Sequence, residues 1–399
     1  MEKAQRRALL GVTIGHGAHD TWYGVAAILM AAMSGDLGLR NSDIALALLF
    51  YQGISSITQP LFGRLSERVG GRPLAVSSIL WTTLCFSLLL FAQDKWVLMA
   101  LISLSGLGSG AWHPQGAANA VIAGGKRWGA TASSIFFFGG TLGSAVLGAA
   151  AGGFLLDRYG PRSLLIISAI TIWMALGFVR TMVPRWVETP ERSGQVATGG
   201  QANGGNGRLF WSFIIVLLVG TALRRVAAET MQTFMPKYQE DLGVATAAYA
   251  ALMSAYMIAS AVGGVLGSYL SDRIGLRRVL TVSVLLSAVA LWGFLQTTGP
   301  LSYALFVLTG LLLNPSHTLF MIACQRQFPQ RMATVTGAFL GYAFVSGAVG
   351  AWGVGLAADK VGLFTMFTYI PWLLLGSAIF GYLGVRRVRP AAQPEPTPA

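Results

Sequence analysis

Charge is scarce in this sequence. Asp, Glu, Lys and Arg make up 11% of its 399 residues, against about 25% in soluble domains. A soluble chain of this length needs a polar surface, and these residues cannot supply one, so water is excluded as its main solvent. Cysteine is nearly absent too. Cys85 and Cys324 both fall inside apolar runs, which excludes a disulfide framework or a cysteine zinc site. There is no Gly-x-x-x-x-Gly-Lys-(Ser/Thr) phosphate loop, so ATP hydrolysis of that kind is excluded. Histidine occurs only four times, too few and too spread for the multi-histidine centre of an intramembrane enzyme. The reading is therefore of a non-enzyme that needs no cofactor and no resident metal.

What is there is apolar. Hydrophobic residues make up 54% of the chain and glycine contributes 50 positions. The apolar runs reach about 20 residues, long enough to cross a hydrocarbon core of roughly 30 Å as helix. Glycine lets helices pack backbone to backbone in lipid. The runs predict twelve helices at 8–33, 42–63, 74–93, 96–122, 128–156, 161–183, 209–236, 245–271, 279–297, 301–325, 332–358 and 363–385. The first run is too long for a signal-peptide core and lacks a small-residue cleavage site, so it stays as helix 1. Between helices 6 and 7 stands the longest polar stretch, ending in the Gly/Asn/Gln-rich run Gly199 to Gly207, a flexible linker by composition. The domains expected are a six-helix half at 1–183, a cytoplasmic linker at 184–208, and a second half with a short tail at 209–399.

Loop charge sets the orientation. With the N-terminus inside, 20 Lys and Arg fall on the inner side and six (Arg40, Lys95, Arg158, Arg162, Lys237, Lys360) on the outer side. That bias predicts cytoplasmic termini in the inner membrane. It also explains the net charge of +13 as a topology signal facing anionic lipid, without nucleic acid.

The chain repeats itself. After helix 2 stands Gly63-Arg-Leu-Ser-Glu-Arg-Val-Gly-Gly-Arg-Pro73, and after helix 8 stands Ser268-Tyr-Leu-Ser-Asp-Arg-Ile-Gly-Leu-Arg-Arg278. Leu65/Leu270, Ser66/Ser271, Arg68/Arg273, Gly70/Gly275 and Arg72/Arg277 match at an offset of 205, and Glu67/Asp272 keeps the charge. A second echo joins Asp157-Arg-Tyr-Gly160 to Asp359-Lys-Val-Gly362 at an offset of 202. Two offsets near half the chain length imply duplicated six-helix halves.

These loops resemble the cytoplasmic motif of the major facilitator superfamily, matched by Gly63, Leu65, Ser66, Glu67, Arg68, Gly70 and Arg72, with glutamate where aspartate is usual. The second copy keeps Asp272 but has Ser268 in the first glycine position. Within the superfamily the chain looks most like fosmidomycin-resistance-type exporters. His16 and Asp20 match their helix 1 pattern, His113-Pro114-Gln115 stands for His-Pro-Glu in helix 4, and Ser134-Ile135-Phe136 precedes Gly139, Gly140 and Gly143 in helix 5. The resemblance implies an all-α integral membrane protein with twelve transmembrane helices in two pseudo-symmetric halves, and a shared cavity lined by helices 1, 4, 7 and 10.

Polar residues at membrane depth are costly and mark function by default. They fall on those four helices: His16, His19 and Asp20; His113, Gln115 and Asn119; Arg224, Arg225 and Glu229; Asn314 and His317. On helix 1 the three residues share one face at i, i+3 and i+4. A carboxylate among imidazoles can load and release a proton near neutral pH, so Asp20, His16, His19 and Glu229 are expected to couple protons. The alternative is a hydrogen-bond network that only braces helix 1. Arg225 and Glu229, four apart, can pair, while Arg224 points about 100° away and can bind a carboxylate or phosphonate; the alternative is a charge-balancing network with Asp20 and Glu229. Arg224, Arg225, His113, Gln115, Asn119, Asn314 and His317 are therefore the expected substrate-binding residues. For His113 and Asn314, each followed by proline, the alternative is satisfaction of the carbonyls a kink frees. Gly63, Glu67, Arg68, Gly70 and Arg72, with Asp272, Arg273, Gly275 and Arg277, are expected to gate. The glycines of helices 5 and 11 are expected only to pack.

The function expected is proton-coupled export of a small organic or anionic solute by alternating access, from a monomer whose partners are solute, protons and lipid. Two alternatives stand beside it. One is a divalent-metal exporter using the helix 1 cluster. The other is an anion symporter working in uptake.

Overall fold

The computed structural model describes residues 1–185, 207–327 and 332–386, all the way through as helices and short connections. Most of the expected linker lies outside the described residues. Helix 1 spans Lys3–Ala32, helix 2 Asn41–Val69 and helix 3 Gly71–Leu89. Helices 4 and 5 share one run, Lys95–Leu142, that bends at Gly125 (φ 61°, ψ −168°). Helix 5 then continues through a π-helical stretch, Gly143–Gly152, into Gly153–Tyr159. Helix 6 covers Pro161–Met182. Helices 7, 8 and 9 are Gly207–Asp241, Thr246–Ile274 and Leu276–Gln296. Helix 10 comes in two pieces, Gly299–Leu313 and Pro315–Gln325, and helices 11 and 12 are Met332–Val361 and Leu363–Arg386.

Nine helices among the described residues are long and apolar enough to cross a membrane. Helices 1, 4 and 7 complete the twelve. Their apolarity is diluted by the very polar residues singled out above, which a helix in lipid tolerates only when they face the bundle interior.

The sequence repeat reappears as backbone. Gly70 ends helix 2 at φ +93° and Gly275 ends helix 8 at φ +94°, a conformation that disfavours a Cβ. Each glycine N–H closes on a serine carbonyl four residues back (Ser66 and Ser271, both 3.0 Å). Each of those serines turns its hydroxyl to the carbonyl three residues earlier. The second echo repeats the device, Gly160 closing on Leu156 and Gly362 on Ala358.

The halves meet along helices 2 and 11, helices 5 and 8, and helices 1 and 7. At the end of the bundle away from the chain termini they share one apolar core, with Trp22, Met30, Tyr51 and Phe86 on one side and Met231, Phe234, Tyr249 and Phe306 on the other. At the end that carries the termini the core splits. Leu9, Trp112 and Phe136 pack within the first half, and Leu217, Phe320 and Phe339 within the second. Among the described residues the apolar core is thus continuous across the halves at the far end and divided at the motif-loop end. The seal includes a cross-half cap: the Asp359 carboxylate of helix 11 accepts the backbone N–H of Asn41 at 2.9 Å and of Ser42 at 3.3 Å, at the start of helix 2.

Candidate functional site

Helix 1 lies so close to helix 5 that only glycine fits the contact. A Cβ on Gly143 would stand 2.0 Å from the Gly17 carbonyl, and one on Gly24 would stand 2.1 Å from the Ser144 carbonyl. This approach sets His16, His19 and Asp20 against helices 3, 4 and 5. Gly140 of helix 5 leaves the space they occupy. A Cβ there would meet Asp20 Oδ2 and His16 Cε1 at 2.7 Å.

The tautomers follow from the partners. A carbonyl can only accept, so His16 Nδ1 donates to the Phe136 carbonyl (2.8 Å) and His113 Nδ1 donates to the Ser109 carbonyl (3.0 Å). Each neutral ring then carries its lone pair on Nε2. Both Nε2 atoms face Asp20: His16 at 3.1 Å from Oδ2, His113 at 3.8 Å from Oδ1. His16 Nε2 is buried and makes no hydrogen bond among the described residues. His19 differs. Its Nδ1 donates to Asp20 Oδ1 at 3.0 Å, and its Nε2 accepts from the Thr82 hydroxyl at 3.4 Å. His19 is satisfied at both ends and positions the carboxylate. Stacking fixes the rings, His16 on Phe136 at 4.0 Å and His19 parallel to Trp112 at 6.2 Å. The Asp20 side chain keeps 20% of its exposure and His113 keeps 31%, so the cluster is not sealed. His16, Asp20 and His113 offer ligand atoms within 4.8 Å of one another, a spacing a divalent cation could also use.

The second half is built differently. Arg225 Nη2 donates to Glu229 Oε2 at 2.7 Å, and its Nε donates to the Ala343 carbonyl at 3.3 Å. Glu229 Oε1 accepts from Gln52 Nε2 of helix 2 at 2.6 Å. This pair ties helix 7 to the opposite half and closes its own charge. Arg224 stands apart. Its Nε donates to Ser316 Oγ at 2.7 Å, its Nη2 reaches Asn314 Oδ1 at 3.4 Å, and its Nη1 has no partner among the described residues. Asn314 sits at the break in helix 10, where its Nδ2 donates to the Ser260 carbonyl of helix 8 at 2.7 Å. His317 lies one turn on, its Nδ1 without a partner among the described residues.

The structure thus brings Asp20, His16, His19 and His113 into one cluster, Arg225 and Glu229 into a pair, and Arg224 and Asn314 into a third group. Gln115 and Asn119 are buried against each other, Asn119 donating to the Gln115 carbonyl at 2.8 Å and to its side chain at 3.1 Å. At the motif loops Arg273 lies over the Tyr269 ring and Arg277 over the Tyr382 ring, 4.7 and 3.7 Å from their centres. Asp272, Arg68 and Arg72 form no ion pair among the described residues; the Glu67 side chain lies outside them. Sequence reasoning missed Thr82, Ser109, Gln52 and Ser316. Single small polar residues in apolar helices carry no periodic signal, and only their contacts reveal them. A narrow pocket between helices 1, 2, 7 and 8, lined by Tyr23, Leu48, Gln232, Met253 and others, lies beside these groups.

A twelve-helix bundle in two halves, with polar clusters inside, is the architecture of a membrane transporter and not of an enzyme. The chain belongs to the Major Facilitator Superfamily, whose model matches residues 14–351 and 217–399. It is 25% identical over 381 residues to the fosmidomycin resistance protein of Escherichia coli (strain K12), covering 92% of this chain and 90% of that one. It is 27% identical over 399 residues to the multidrug resistance protein MdtG of Klebsiella pneumoniae (strain 342), covering 96% and 88%. Its fold is similar to a bacterial homolog of the human lysosomal transporter Spinster in an inward-facing, occupied conformation, with a TM-score of 0.81 at 14% identity over 98% and 100% of the chains.

Proposed function

We propose that this secondary transporter exports a small organic or anionic solute in exchange for protons, from a monomer in the inner membrane with both termini in the cytoplasm. The geometry of His16 and Asp20 carries the proton part. With the His16 Nδ1 proton committed to a carbonyl, a neutral ring turns a lone pair toward the carboxylate at 3.1 Å. Two acceptors face each other, and one added proton satisfies both. The groups that face this slot are His19 on the same helix and His113 on helix 4, the latter also turning a lone pair inward. Arg225 and Glu229 of helix 7 lie beyond Tyr23, whose hydroxyl stands 3.5 Å from Glu229 Oε1. Protonation cancels the charge on Asp20 and changes what the cleft between the halves presents to a solute.

With cytoplasmic termini, the parted end faces inward, and the motif loops Gly63–Arg72 and their repeat are the contacts that form when the halves tilt. The names of the two relatives support efflux of antibiotics or drugs as the direction and cargo class. Purified protein in liposomes tests the reading. A pH gradient drives solute movement in wild type, and Asp20→Asn abolishes that coupling; coupling that survives in Asp20→Asn makes the cluster structural. A second reading has its own observation, the 4.8 Å convergence of His16, Asp20 and His113. Calorimetry with zinc, cobalt and iron separates it, since saturable binding is expected only for a metal carrier.

A further inference from the structure

Arg224 is the point at which the buried charge does not close. A guanidinium keeps its proton in a protein, and this one is only 3% exposed. Among the described residues no carboxylate pairs with it. Its Nε and Nη2 rest on neutral oxygens, and Nη1 rests on nothing. Arg225, its neighbour, bears the same sign and is committed to Glu229. A buried cation of this kind calls for a counter-charge.

Two further features of the same place point the same way. His317 has no partner for its Nδ1 among the described residues and lies within the field of both arginines. Helix 10 kinks at Pro315, and Asn314 and His317, three residues apart, share a face there. Asn314 and His317 are only partly buried, which leaves an edge by which a ligand can enter. A cationic solute would be repelled by the uncompensated Arg224 guanidinium.

We propose that Arg224 and His317, at the kink of helix 10, form an oxyanion subsite. The solute is a small organic anion whose phosphonate or carboxylate accepts one hydrogen bond from Arg224 Nη1 and one from His317 Nδ1. This rests on the transporter reading and narrows its cargo. It does not depend on proton coupling.

The full-length protein in detergent is titrated by calorimetry with phenylphosphonate, benzoate and tetraphenylphosphonium, and the anions are repeated in nanodiscs with and without phosphatidylglycerol. At least one soluble anion binds saturably and the cation does not. Arg224→Gln weakens the anion by about 100-fold and Arg224→Lys, which keeps the charge but loses the fork, by about tenfold. His317→Gln produces a smaller loss. Asp20→Asn still binds the anion saturably, with a smaller change in affinity than Arg224→Gln, so loss of proton-driven transport with saturable binding retained removes the coupling reading alone. Wild-type affinity in Arg224→Gln, or binding of the cation only, overturns the subsite. Abolition of anion binding by phosphatidylglycerol also overturns it, because the subsite then belongs to a lipid phosphate. If Arg224→Gln does not fold, Arg224→Lys and His317→Gln decide: unchanged affinity in both refutes the proposal.

Discussion

In the first half a single carboxylate, Asp20, stands among three imidazoles. In the second half a single guanidinium, Arg224, stands among neutral side chains, with an ion pair closed beside it. The two halves nevertheless share their turns almost atom for atom, at Gly70 and Gly275 and at Gly160 and Gly362. Duplication has kept the scaffold and let the interior charges diverge. On the proposed reading the first half takes up protons and the second presents a positive patch, so the two sites attract opposite charges. An exchanger that admits protons and releases an anion needs that asymmetry.

The largest expected effects test the division of labour. Asp20→Asn should remove proton-driven transport while saturable anion binding is retained, and Arg224→Gln should weaken anion binding while sparing the pH response of the cluster. If both variants lose both properties equally, the sites are not separate. Next comes the ion pair between them. Glu229→Gln leaves Arg225 buried without its partner, and such a loss costs about 3–5 kcal/mol. Thermal unfolding in detergent should show it as a clear drop, and the double variant Arg225→Met/Glu229→Met should recover most of it. A Glu229→Gln protein as stable as wild type would instead show that the buried Arg225 does not depend on the Glu229 charge.

A smaller effect is expected at Gly140. The Gly140→Ala methyl would press on Asp20 Oδ2 and His16 at 2.7 Å, and overpacking of this kind costs about 1–3 kcal/mol. The strain falls on the proton slot, so the pH dependence of transport should shift while binding at Arg224 does not. Gly347 of helix 11 faces Arg225 more loosely, at 3.3 Å from its Nε, and its alanine variant should be the milder of the two.

Much of this was legible before any coordinates. The run lengths marked the helices, the loop echoes marked the halves, and the polar residues of helices 1, 4, 7 and 10 marked the interior. What stayed hidden depends on contacts between distant segments. Spacing allowed Arg225 to reach Glu229, but only Gln52 from helix 2 shows that Glu229 is held across the halves. Nothing in the run from Ser134 to Gly143 says that Gly140 faces a carboxylate, so the expectation that these glycines merely pack was incomplete. His113 illustrates both alternatives at once. Its Nδ1 serves a backbone carbonyl near the proline kink, and that same bond aims its Nε2 at Asp20.

The smallest effect concerns the seal at the far end, where the halves again differ. Asp359 caps the start of helix 2 through two backbone N–H groups, whereas its counterpart Asp157 makes no such bond to helix 8 among the described residues. A lost cap costs about 1 kcal/mol, or roughly a fivefold change in a two-state balance. Ser42 is 5% exposed in the sealed arrangement. In a protein with Cys85 and Cys324 replaced by alanine, a cysteine introduced by Ser42→Cys reports opening through its rate of maleimide labelling. Asp359→Ala should raise that rate about fivefold, and Asp157→Ala should change it by less than about twofold. Equal responses would mean that the cap is not what distinguishes the two seams, and that the close approach of Gly153 to Ala250 between helices 5 and 8 bears as much of the closure as the carboxylate does.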